Sequence, residues 1–142
     1  MSVSMVSALR KHPSNPVPMA PELPAPVMDI LTDVRRAGLV CRTAARADVF
    51  RTCALLASDN RVTRTGFAKA LVQCLTQVLA KKPVLFRPGV SELSFDERWL
   101  GSALCAARRG DAASFAFLMR RRVQAEDRRC IGFLIQALAR ET

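Results

Sequence analysis

Tyrosine is absent from this chain of 142 residues, histidine occurs once, at His12, and the six glycines stand singly. Each gap excludes a chemistry. A Ser-His-Asp or Cys-His nucleophile, or a histidine phosphotransfer, would need His12 carried back from a segment dense in proline. A phosphate-binding loop needs clustered glycines so that backbone amides can approach the anion, and no such cluster exists. The five cysteines (Cys41, Cys53, Cys74, Cys105, Cys130) form no C-x-x-C pair, so a zinc site would have to be assembled from isolated thiols. They read instead as small apolar residues on buried helix faces, in keeping with a reducing compartment. No apolar run approaches the ~20 residues of a membrane span. The opening MSVSMVSALRKHPS puts Arg10 and Lys11 after its weak apolar run, the reverse of a secretory signal. These absences lead us to expect a cytoplasmic protein that is no enzyme and carries neither cofactor nor metal.

What the chain has in excess is arginine. Eighteen arginines and four lysines against twelve acids leave a formal charge of +10. A surplus of that size on a small domain points to an acidic partner, either nucleic acid or the acidic face of another protein. The bias toward arginine and alanine is that of a GC-rich bacterial genome.

Six of the eight prolines fall between Pro13 and Pro26, a density that blocks helices and sheet ladders. Residues 1–26 are therefore expected to be a disordered leader and residues 27–142 a single helical domain. Helical spacing of apolar residues predicts helices over 27–37, 42–57 and 65–81. The first should stop at Gly38 with Arg35 and Arg36 complementing its dipole, and the third at Lys81-Lys82-Pro83. Residues 83–91 break the pattern: Val84-Leu85-Phe86 suits one short extended segment and Pro88-Gly89 reads as a turn, and a short β-pair around residue 85 is the main alternative to an all-helical chain. Ser94 and Glu97 have the spacing of a capping box, opening a helix that runs to Arg109 and stops at Gly110. Asp111 should cap a helix over 112–122, and a last helix should span about 126–140. Phe95, Trp99, Ala103, Phe115, Leu118, Ile131, Leu134 and Leu138 are the expected core. The fold class is all-α, a compact bundle of five to six short helices.

The paired carboxylates Asp96-Glu97 and Glu126-Asp127 lie at helix starts, where acids belong electrostatically. Two basic surfaces remain as candidates. Phe50 to Leu75 resembles a helix–turn–helix, with Arg61 and Arg64 in the turn and Lys69 and Gln73 along the third helix, as DNA recognition requires. Its turn, Asp59 to Thr65, is longer than the 3–4 residues of the compact motif. On the last helix Arg129, Phe133, Gln136 and Arg140 share one stripe at 100° per residue, opposite Cys130, Ile131, Leu134 and Leu138. With Arg122 nearby, that stripe has the character of a protein interface. Arg42 and Arg46, spaced i, i+4, could form an anion pocket or lie along an apolar face. The first expectation is a small regulatory protein that binds DNA through a basic helical surface. The alternative is an adaptor docking on an acidic protein, such as transcription machinery or another regulator, through the Arg/Phe stripe.

Overall fold

The computed structural model describes residues 23–41 and 64–140, and every described regular element is helical. Helix α1 (Ala25–Cys41) begins as the proline run ends. The amides of Val27 and Met28 both donate to the Pro24 carbonyl at 3.0 Å, and Pro26 occupies the first turn, where no amide is needed. Leu23, placed by sequence in the leader, packs against the core. The rest of that leader, residues 1–22, and the helix expected over 42–57 lie outside the described residues, as do Arg42, Arg46 and Cys53.

Gly38 does not end α1, which continues to Cys41. The glycine serves close packing instead: a Cβ there would lie 2.9 Å from Leu85 Cδ1, on the segment that crosses the helix. Helix α2 (Arg64–Val78) ends three residues before the expected Lys81. It buries Phe67, Ala68, Leu71, Val72, Cys74 and Leu75 between α1 and the last helix. The connection that follows contains no strand, so the β-pair around residue 85 that stood as the alternative to an all-helical chain does not form. It turns at Arg87–Val90, where Val90 donates to the Arg87 carbonyl and Gly89 takes φ 94° after Pro88. That is the sequence chemistry of a type II turn.

Helix α3 (Phe95–Arg108) opens with the expected capping box. Ser94 Oγ accepts from the Glu97 amide at 3.0 Å, and Glu97 Oε1 accepts from the Ser94 amide at 3.0 Å. It closes at Gly110 (φ 72°), with Gly110 donating to Ala107 and Asp111 to Ala106, a Schellman arrangement. Asp111 then caps helix α4 (Ala112–Arg122) by accepting from the Ser114 amide. A 3₁₀ turn at Ala125–Asp127 leads into helix α5 (Arg128–Arg140). Helix α5 lies at the centre: it packs on α2 and α3, touches α1 and α4, and buries Ile131, Leu134, Ile135 and Leu138 completely. Side chains of this kind stabilise by roughly 1.5–3 kcal/mol each when buried.

One expected core residue is misplaced. Phe95 is 73% exposed, and Leu118 is only half-buried, whereas Trp99, Ala103, Phe115, Ile131, Leu134 and Leu138 are buried. Trp99, one turn further along α3, takes the inner position and donates its Nε1–H to the Leu118 carbonyl at 2.9 Å. Phe95, the first residue of the helix, is left beyond the edge of the core.

Helix α1 and the start of α3 are joined by a buried ion pair. Arg35 does not complement a helix dipole, because α1 extends past it. Its Nε donates to Glu97 Oε2 at 2.8 Å and its Nη2 to Oε1 at 3.0 Å, with both side chains buried. Arg35 also donates to the Val90 and Glu92 carbonyls, each at 2.7 Å, and Glu97 accepts from the Phe86 amide at 2.8 Å. The pair therefore also bonds backbone groups of the irregular connection, which has no helical hydrogen bonds of its own to hold it in place. Burial pushes the Glu97 carboxyl up, but the Arg35 hydrogen bond, the Ser94 and Phe86 amides and the Arg35 charge together hold it below its ordinary value. The Glu97 hydrogen bond raises Arg35 further above its ordinary value against the opposing effect of burial.

Candidate interaction surface

Four of the described acidic side chains are matched to arginines. Besides Glu97 on Arg35, Asp33 pairs with Arg64 at 2.5 Å and Arg36 at 3.4 Å, Asp96 with Arg122 at 2.6 Å, and Asp111 with Arg109 at 3.4 Å. Arg98, Arg120, Arg121, Arg129 and Arg140 are exposed and form no ion pair with a described carboxylate. These five arginines lie on α3, α4 and α5, while exposed Lys69 lies on α2 and exposed Lys81, Lys82 and Arg87 on the connection after it.

The residues expected to bind DNA are distributed unevenly. Arg61 lies outside the described residues. Arg64 is tied to Asp33 of α1, Lys69 is exposed, and Gln73 is half-buried. Because α1 and α5 pack on two sides of α2, its open face is a narrow stripe through Thr65, Lys69 and Thr76. On α5, Arg129, Gln136 and Arg140 do share an exposed stripe. Phe133 within it is half-buried and turned to α2, its ring edge-on to Phe67 with centroids 6.2 Å apart at 71°. Arg128, beside Arg129, turns back to donate from Nε to the Val123 carbonyl at 2.8 Å. Arg122 is drawn away to α3, where its Nη2 donates to Asp96 Oδ1.

Around Arg122 the structure assembles a surface that the helical spacing alone did not suggest. The Arg122 guanidinium lies over two rings, 5.3 Å from the centroid of Phe95 and 5.5 Å from that of Trp99. Its Nη1 is buried and has no hydrogen-bond partner among the described residues, and the rings add to the compensation of its charge by Asp96. Asp96 is held in turn, its Oδ2 accepting from the Val84 amide at 2.7 Å. The neighbouring Arg121 lies 5.8 Å over the ring of Phe117, which is 53% exposed. Two separate arginine–ring pairs result, Arg122 with Phe95 and Trp99 where α4 meets α3, and Arg121 with Phe117 on the outer side of α4. The i, i+4 spacing of Phe117 and Arg121 was visible in the sequence. The outward position of Phe95 was not.

A groove of about 320 Å³ lies between α1, α2 and the connection after α2, lined by Gly38, Leu39, Val72, Val84 and Leu85 with Lys82 and Arg87 among its cations. Among the described residues no helix is long and apolar enough to cross a membrane, and no group of three or more His, Cys, Asp or Glu side chains could hold a metal ion. No family model, no curated protein and no solved structure matches this chain.

Proposed function

We propose that this chain is a small non-enzymatic adaptor that docks on an acidic protein partner. The observation that carries this reading is that exposed Arg121, with no carboxylate partner among the described residues, lies over the outward ring of Phe117. Arginine and aromatic residues are the types enriched at protein interfaces and among their strongest contributors. A guanidinium receives a carboxylate through two parallel N–H donors, which adds orientation to charge attraction.

Duplex DNA is the second reading, favoured by the net charge of +10 and by exposed Lys69 beside Gln73 on α2. The narrow open stripe of that helix and the pairing of Arg64 with Asp33 leave it less to offer a major groove. The experiment compares binding of a labelled glutamate-rich peptide and a labelled DNA duplex across a salt series. Adaptor function predicts peptide binding that is weakened by charge reversal at Arg120 and Arg121. Binding of the duplex alone, falling steeply with salt and lost on charge reversal at Lys69, would instead establish the DNA reading.

A further inference from the structure

We infer that the groove between α1, α2 and the connection after α2 is a binding site for a small amphipathic carboxylate. Its aliphatic or aromatic body would lie against the apolar walls, and its carboxylate would meet Lys82 and Arg87. The inference does not rest on the adaptor reading, and it concerns elements other than α4, which carries Phe117 and Arg121.

Exposed apolar surface faces this groove from two elements. Leu39 of α1 and Val84 of the connection both line it, and they are 44% and 54% exposed. A ligand that covers both removes their unfavourable contact with water. The wall that carries Val84 is irregular, yet its backbone is fixed. The Val84 amide donates to Asp96 Oδ2 at 2.7 Å, and its carbonyl accepts from Ser94 Oγ at 2.6 Å. Two residues on, the Phe86 amide donates to Glu97 Oε2 at 2.8 Å. A wall held in this way needs little ordering when a ligand arrives, which favours affinity.

Charge and volume select the occupant. Arg35 borders the groove, but its guanidinium is engaged by Glu97 and by carbonyls of the connection. Lys82 and Arg87 also line it, and both are exposed and have no ion pair with a described carboxylate. No Asp or Glu is among the lining residues. Asp96, which holds the Val84 amide, does not line the groove, and its charge is paired with Arg122. A small bare anion would leave the apolar walls wet, and a neutral apolar molecule would leave both cations unmatched. A carboxylate on an apolar body answers both. The volume of about 320 Å³ lies at the lower end of the range of small-ligand sites, which are mostly apolar with a few polar groups that orient the ligand. Such a volume takes a small molecule whole, whereas a protein segment would enter it by single side chains.

The probe is decanoate, titrated calorimetrically into the full chain. Decyltrimethylammonium has a similar tail with the opposite charge, and acetate has the carboxylate without the tail. Decanoate should bind saturably, raise the melting temperature, and bind at least about tenfold more tightly than either comparison compound. Thr76 of α2 is exposed and lines the groove, so Thr76→Phe should fill it and weaken decanoate about tenfold. Lys82→Glu combined with Arg87→Glu should also weaken it about tenfold, and Arg129→Glu on α5 by less than about twofold. The charge substitutions lie on an exposed irregular segment, so they keep the test decisive if Thr76→Phe perturbs α2. Absence of saturable decanoate binding would overturn the inference. So would equal affinity for decanoate and decyltrimethylammonium, or decanoate affinity unchanged by both the Thr76 and the charge substitutions. A peptide of glutamates and leucines that binds, is blocked by Thr76→Phe and has no decanoate counterpart would make the groove a protein docking face. That result would overturn the small-ligand assignment and leave the adaptor reading intact.

Discussion

Arg35 and Glu97 lie 62 positions apart and meet as a two-point ion pair in the interior, with Nε to Oε2 at 2.8 Å and Nη2 to Oε1 at 3.0 Å. The pair also binds backbone groups of Phe86, Val90, Glu92 and Ser94. It therefore ties α1, α3 and the irregular connection between α2 and α3 to a single point. Removing one partner leaves the other charge buried and several backbone groups unmet.

Glu97→Ala or Arg35→Ala should each destabilise the fold by about 3–5 kcal/mol, read as a lower urea midpoint. The double substitution should cost less than the sum of the two, because the second change removes the stranded charge. Additive losses would show that the two side chains act independently.

Acid should weaken the protein through the same carboxyl. Glu97 titrates below its ordinary value when folded, so on acidification the unfolded chain takes up this proton first. Its contribution is fully present above the ordinary glutamate range of about 4.3 and is lost as pH falls through the lower folded value. Urea midpoints measured from pH 6 downward should fall in that window. In Glu97→Gln the acid limb should be shallower and the protein less stable at pH 6.

Gly101 of α3 lies beneath Leu23, and a Cβ on Gly101 would collide with Leu23 Cδ1. Gly101→Ala should therefore force Leu23 to another rotamer, so that the full chain gains less than the helix propensity of alanine would give. With Leu23→Ala in place, the same change should stabilise by up to about 1 kcal/mol, since alanine is the better helix former. By the same contact, a chain starting at Pro26 should melt lower than one starting at Leu23. Equal melting temperatures would show that Leu23 contributes nothing to the bundle.

Among the described cysteines, thiol modification should proceed in two classes. Cys41 and Cys105 are half-buried, while Cys74 and Cys130 are buried. Burial pushes the Cys41 thiol up against the opposing charge of Lys69, and the Cys105 thiol up against those of Arg109 and Arg108. Both should react more slowly than a free thiol at neutral pH and accelerate as pH rises past the ordinary cysteine value. Cys74 and Cys130 should react only as the protein unfolds, which mass spectrometry after timed labelling would resolve.

What the sequence determined by itself is the part of the structure governed by interactions within a turn or two. Ser94 and Glu97, Gly110, and Asp111 with Ser114 mark the limits of α3 and α4 where their spacing predicts, because a cap joins residues three or four apart. Helical periodicity likewise identified the buried face of α5. The partners of long-range groups were decided only by the tertiary structure. Arg35 follows the pattern of a helix-end cation until Glu97 is brought to it, and Gly38 that of a stop signal until Leu85 crosses α1. Phe95 carries the mark of a core residue, but Trp99 fills the interior position that both could have taken. Apolarity and charge state that a side chain needs a partner, whereas packing geometry determines which partner it meets and which rings and arginines remain on the surface.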